Sequence, residues 1–73
     1  MTEIPRLRAS EVTKALKRLD FYVVRMRGSH IRLYHQDGRR VTIPRHNRPL
    51  FVGTLKSILR QAEISLEELL ANL

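Results

Sequence analysis

The sequence contains no cysteine and no tryptophan, and it has only 3 glycines. The absence of cysteine excludes disulfide bridges and thiolate metal sites, and it fits the reducing cytoplasm, where we expect the protein. No glycine stands in a G-x-G-x-x-G or G-x-x-x-x-G-K-[ST] frame, so the phosphate-binding loops of nucleotide-binding proteins are absent. Long apolar runs are also absent, and residues 1–5 lack the apolar core of a signal peptide, so we expect neither a membrane span nor a secretory signal.

Acidic residues are scarce as well. The 73 residues include 14 Lys and Arg but only 7 Asp and Glu, which gives a net charge of +7. Every basic residue lies between Arg6 and Arg60, whereas residues 63–73 carry acids and no base. Most of the cations are arginines, whose planar guanidinium groups match phosphate oxygens. Nucleic acid is therefore the first partner predicted, and a basic surface that serves only solubility is the alternative.

A metal site is not predicted. The 3 histidines stand at positions 30, 35 and 46, and no cluster of carboxylates accompanies them. His30 and His35 are on one predicted strand at odd spacing, so their side chains should face opposite ways. A hydrolytic zinc site needs three protein ligands, and a two-metal nuclease needs several acids. Asp37 stands alone, and we interpret it as a turn residue.

Hydrophobic periodicity predicts one domain over residues 1–73, with the order helix, three antiparallel strands, helix and short helix. The predicted helix over 8–20 has Ser10 as its N-cap and presents an apolar face of Val12, Ala15, Leu16 and Leu19. The other predicted elements are strands over 21–26, 30–35 and 39–44, a helix over 50–62, and a short helix after a capping box at Ser65. This is an α+β fold with the helices on one face of a three-stranded antiparallel sheet.

The loop between the second and third strands determines which side chains share a face. A two-residue loop at Asp37-Gly38 would pair Tyr34 with Val41 and mix the two faces. A three-residue loop with Gly38 in the left-handed conformation pairs Leu33 with Val41 instead, and we choose that register. It places these side chains together opposite the apolar face: His30, Arg32, Tyr34, Arg40 and Thr42. For the first strand both inward faces stay open, either Phe21, Val23 and Arg25 or the more apolar Tyr22, Val24 and Met26.

The segment Gly28-Ser29-His30 is the candidate site, since it places an imidazole where a turn meets a strand. Arg25, Arg27 and Arg32 flank it and are candidate phosphate ligands. In a metal-free cut of RNA the ribose 2′-OH attacks the adjacent phosphorus. A histidine can take the proton, while cations stabilise the developing negative charge. The alternative is a polar turn in which His30 only packs its ring.

Other residues near this segment have weaker assignments. Gly28 is interpreted as a structural turn residue. Ser29 could bind phosphate or orient the imidazole, although a local turn role is the simpler interpretation. Arg45 and His46 lie in the loop over 44–49 and are candidates for the second side of an RNA site. A plain loop residue is the alternative for His46.

Three stretches of the chain resemble the HicA toxin family in order and spacing: RGSHI at 27–31, VTIPRH at 41–46 and GTLKSILRQA at 53–62. The resemblance implies a fold like the double-stranded-RNA-binding domain, α-β-β-β-α, here with a short C-terminal helix. It implies an mRNA-cleaving toxin that inhibits translation, with His30 at the position of the family's catalytic histidine and with no metal or organic cofactor. The implied partners are mRNA and a HicB antitoxin that occludes the active site. The toxin would be monomeric alone or part of a toxin–antitoxin hetero-oligomer.

Two positions depart from such sequences. Asp20 and Glu63 stand where glycine is common after the first and second helices. Both positions favour a left-handed residue, which Asp tolerates and Glu tolerates poorly. The function predicted from the sequence is a metal-independent endoribonuclease toxin. A non-catalytic RNA-binding module of the same fold and a structural ribonucleoprotein component are the rivals.

Overall fold

The computed structural model describes residues 4–73, so the expectation of no secretory signal falls partly on residues outside the described range. Its elements are α1 (Ala9–Arg18), β1 (Tyr22–Arg27), β2 (His30–Tyr34), β3 (Arg40–Pro44), α2 (Val52–Ala62) and α3 (Leu66–Leu70). The strands form one antiparallel sheet in the order β1-β2-β3, which confirms the predicted α+β fold. Within the described residues, no helix is both long and apolar enough to cross a membrane.

The core lies between one face of the sheet and the helices. From the sheet it receives Ile31, Leu33, Val41 and Ile43, all of which are buried. The helices contribute Val12, Ala15, Leu16, Leu55, Ile58 and Leu69. The predicted register is confirmed, because Leu33 lies opposite Val41 and Gly38 has a φ of +100° in the three-residue loop. The second face of the sheet is therefore free of helices.

The start of α1 differs from the prediction. Ser10 is not the N-cap; it lies inside the first turn, and Arg8 is the residue that precedes the helix. The Glu11 carboxylate accepts a hydrogen bond from the backbone N–H of Arg8 at 2.9 Å, which satisfies one end group of the helix. The helix begins at Ala9, before the predicted N-cap, because Leu7 and Ala9 are buried in the core and fix the direction in which the chain enters the helix.

The ends of α1 and α2 confirm the left-handed residues predicted from the sequence. Asp20 has a φ of 72° and Glu63 a φ of 56°. After α1, the N–H of Phe21 donates to the carbonyl of Leu16 at 3.0 Å, and after α2 the N–H of Ile64 donates to that of Leu59 at 3.2 Å. Both ends thus have the bond pattern that requires a left-handed residue.

Strand β1 contains a β-bulge at Val24. Val23 pairs with Leu33 and Arg25 pairs with Arg32, which leaves Val24 without a partner on β2. The extra residue reverses the alternation, so Val23 and Met26 face the helix side while Tyr22, Arg25 and Arg27 face the open side. Neither face proposed for this strand is correct along its whole length, because both assumed unbroken alternation.

Candidate functional site

The open face of the sheet carries a shallow cationic hollow, which we call the sheet hollow. It is lined by Arg25, Arg27, His30, Arg32 and Thr42 and has a volume of about 510 Å³. Arg25 lies opposite Arg32, and Arg27 lies opposite His30, across the β1–β2 ladder. Directly opposite side chains in such a ladder are near neighbours, so Arg27 is the nearest cross-strand neighbour of His30, and Arg25 and Arg32 lie on the same face.

The charge in this hollow is not neutralised within the described residues. Among these residues the Asp37 carboxylate pairs with Arg39 and lies beside the His35 ring, and neither contact reaches the sheet hollow. Like charges directly opposite each other destabilise an antiparallel pair, and Arg25 faces Arg32 in that way. An arrangement that costs stability in the free protein is favoured once an anion binds, so the sheet hollow is suited to phosphate.

The turn between β1 and β2 holds His30 in place. Arg27 pairs with His30, so the turn has two central residues, Gly28 and Ser29. Gly28 has a φ of +58°, and a first central residue with positive φ is typical of a tight hairpin turn with glycine at that position. A Cβ at Gly28 would meet no atom within 4 Å, so backbone conformation, not space, is what favours glycine there. The exposed Ser29 does not line the sheet hollow, and its carbonyl accepts the N–H of Arg45 at 2.5 Å.

The structure does not bring Arg45 and His46 into the sheet hollow. They line a second concavity on the opposite side, the helix-side hollow, together with α1 residues and the helix-side faces of Met26 and Ile31. The β2–β3 ladder reaches His30 opposite Pro44, and the chain then turns towards α1. There the Arg8 guanidinium donates to the carbonyl of Asn47. The candidate residues from the sequence are thus divided between two faces of the sheet.

Sequence reasoning missed several residues of these two hollows. Thr42 lines the sheet hollow but was not named as a site residue, although the predicted strand alternation placed it on that face. Its N–H donates to the Gln61 side-chain carbonyl at 2.9 Å, which ties the outer edge of β3 to α2. The helix-side hollow also includes Lys14 and Lys17, whose spacing of three residues on α1 is the signal that could have identified them.

His35 is separate from both hollows. Its ring packs edge-on against Phe21 with centroids 5.0 Å apart, and its Nδ1 accepts the backbone N–H of Asp37 at 3.1 Å. Hydrogen bonds from Arg39 hold the pKa of the Asp37 carboxyl below its usual value. Asp37 and Arg39 therefore organise the β2–β3 loop, in agreement with the turn role predicted for Asp37. Among residues 4–73, no group of three His, Cys, Asp or Glu could hold a metal ion.

Comparison with known proteins gives one family. The model of the family described as HicA toxin of bacterial toxin-antitoxin matches residues 9–64. The match begins with α1, contains all three strands, and ends just after α2, so it includes every residue of the sheet hollow. The comparison with curated proteins finds no match.

Proposed function

Because the chain belongs to the HicA toxin family, we propose that it is a metal-independent endoribonuclease that cleaves mRNA and so inhibits translation. The observation that supports this best is the position of His30, an exposed imidazole that shares its hollow with three arginines and has no carboxylate partner within residues 4–73. An imidazole can act as a general acid or base, and the arginines supply the positive charge that binds a phosphodiester.

In the proposed reaction the ribose 2′-OH attacks the adjacent phosphorus and the bond to the 5′ oxygen breaks. His30 takes the proton of the 2′-OH, while Arg25, Arg27 and Arg32 contact the non-bridging oxygens and stabilise the added negative charge. The sheet hollow contains a single imidazole, so the departing 5′ oxygen takes its proton from the imidazolium or from water. The products are a 2′,3′-cyclic phosphate and a 5′-hydroxyl.

His30→Ala tests the catalytic assignment. Loss of a general acid or base typically reduces the rate about 10²- to 10⁴-fold, so cleavage at saturating RNA should fall by that amount. The melting temperature should stay near that of the parent protein, because His30 is exposed. His46→Ala is the matched control, since His46 lies in the helix-side hollow and should affect RNA affinity more than the rate. A His30→Ala protein that cleaves at the parental rate would rule out the proposal.

The mechanism itself has a second test. Cleavage should persist in EDTA and leave 2′,3′-cyclic phosphate ends that mass spectrometry can identify. Loss of activity in EDTA together with 3′-hydroxyl and 5′-phosphate ends would indicate a metal-dependent nuclease instead.

A non-catalytic RNA-binding module is the second candidate function. The three arginines of the sheet hollow support it as well as they support catalysis, because phosphate binding needs no proton transfer. The two candidates differ in one measurement. If the protein is an endoribonuclease, the purified chain should shorten a labelled RNA. If it is a non-catalytic binding module, the chain should retard the migration of the RNA and leave its length unchanged.

We also propose a HicB-type antitoxin partner, acting in the cytoplasm, that covers the sheet hollow. The family implies an antitoxin, and an open, cationic, shallow site can be covered directly by an acidic surface. A specific complex of this kind should bury at least about 1,200 Å² in total. Hydrogen exchange on the complex should show added protection at residues 28–35. Added protection confined to α1 would contradict occlusion.

A further inference from the structure

Phe51 is an exposed aromatic side chain in a cationic setting. Its exposed fraction is 78%, higher than that of any other large apolar side chain among residues 4–73. It lines an open hollow of about 680 Å³, which we call the Phe51 hollow, together with Arg6, His46, Asn47, Arg48 and Pro49. Among residues 4–73, no Asp or Glu lines this hollow. An isolated exposed apolar residue needs no explanation, but a ring beside two arginines has the composition of a nucleic-acid contact.

The backbone on both sides of Phe51 is fixed. The preceding residue, Leu50, is buried, and its N–H donates to the carbonyl of Leu7 at 2.7 Å. The carbonyl of Phe51 accepts the N–H of Leu55 at 2.9 Å, which is the first hydrogen bond of α2. The ring is therefore presented to solvent from an anchored position, and a ligand that stacks on it does not have to order a loose segment.

We propose that Phe51 is a stacking site for an unpaired base of single-stranded RNA, with Arg6 and Arg48 contacting the phosphates beside that base. Every base has a flat face that can stack on an aromatic ring, and cations next to the ring bind the backbone. A paired base is unavailable for such stacking, so the substrate class is single-stranded RNA. The inference rests on the proposed function, because it takes RNA as the substrate.

The Phe51 hollow adjoins the helix-side hollow. His46 and Asn47 line both the Phe51 hollow and the helix-side hollow. The helix-side hollow extends to Met26 and Ile31, which are the sequence neighbours of Arg27 and His30. None of the described residues that line the three hollows is acidic. A strand of RNA stacked on Phe51 can thus continue into the helix-side hollow without meeting an Asp or Glu among the described lining residues.

The test uses RNA binding by the full chain that carries His30→Ala, so that the RNA stays intact. The probe is oligouridylate, either single-stranded or paired with oligoadenylate. Since the sequence has no tryptophan, Phe51→Trp introduces a single indole. Its fluorescence should be quenched by the single strand and much less by the duplex. If the fluorescence of the indole does not change at a saturating concentration of the single strand, the proposal is wrong.

Affinity measurements on the same parent separate stacking from charge. Phe51→Ala and Phe51→Leu should each weaken binding about fivefold to a hundredfold, whereas Phe51→Tyr should bind like the parent. The dependence of affinity on salt should not change, since no phosphate contact is lost. Val52→Ala is the matched control, because Val52 is the exposed neighbour that does not line the hollow.

Three results would overturn the stacking site. The first is parental affinity in Phe51→Leu. The second is an equal loss in Val52→Ala. The third is a Phe51 variant that keeps its RNA affinity but no longer binds the antitoxin, which would assign the ring to a protein interface. If the His30→Ala parent itself fails to bind RNA, the proposed function fails as well, so the two failures are distinguishable.

Discussion

The sheet hollow makes a quantitative prediction about salt. Each phosphate contact with a single strand adds about 0.7 to the slope of log affinity against log salt. The three arginines that line the hollow should therefore contribute about 2 to that slope. A rise from about 50 to about 200 mM salt would then weaken binding about 18-fold through these contacts alone. Replacing all three arginines by glutamine in the His30→Ala background should therefore lower the slope by about 2.

Replacing Arg25 or Arg32 of the sheet hollow should weaken RNA binding but raise the stability of the free protein. Arg25 and Arg32 are directly opposite like charges, so Arg25→Gln or Arg32→Gln should relieve repulsion and raise the melting temperature slightly. A variant that is more stable yet binds RNA less tightly cannot be explained by unfolding. This combination distinguishes a binding surface from a structural one.

The assay is fluorescence anisotropy of labelled oligouridylate, titrated at several salt concentrations. Arg60→Gln is the matched control, because Arg60 is an exposed cation of α2 that lines none of the three hollows. Arg60→Gln removes one positive charge, as Arg25→Gln does, but it should leave the slope of log affinity against log salt unchanged. If the triple variant keeps the parental slope, or if Arg60→Gln lowers the slope as much as Arg25→Gln, the sheet hollow is not the phosphate site.

Three further predictions concern stability. Glu63→Gly should raise the free energy of unfolding by about 0.5–1 kcal/mol, because Glu63 has a left-handed φ of 56°; an unchanged urea midpoint would contradict this. Leu33→Ala should lower it by about 2–5 kcal/mol, since Leu33 is fully buried, and a loss below about 1 kcal/mol would mean that the core tolerates the cavity. The folded-state pKa of Asp37 is depressed by Arg39, so its stabilisation is present above the unfolded pKa and is lost as pH falls through the folded one. The melting temperatures of the parent and Asp37→Asn should therefore differ at neutral pH and converge in acid; a difference that persists in acid would exclude this linkage.

Much of the fold could be predicted because its signals are local. The apolar spacing of Val12, Ala15 and Leu16 is sufficient to define the buried face of α1. The alternation in β2 and β3, together with Gly38, is sufficient to define their register. That register alone places His30 and Arg32 on the face without helices. The left-handed residues at 20 and 63 were predicted from the resemblance to HicA sequences, in which glycine is common at both helix ends.

The composition of the site was decided by tertiary structure. Alternation read along the sequence puts Arg25 on the same face as Val23, and only the bulge at Val24 turns Arg25 and Arg27 towards His30. The bulge lets Val23 face the core and Met26 face the helix-side hollow, a requirement set by the packing of the whole sheet rather than by neighbours in sequence. The path of the 45–47 loop towards α1 likewise depends on hydrogen bonds to residues distant in the chain, which no local pattern encodes.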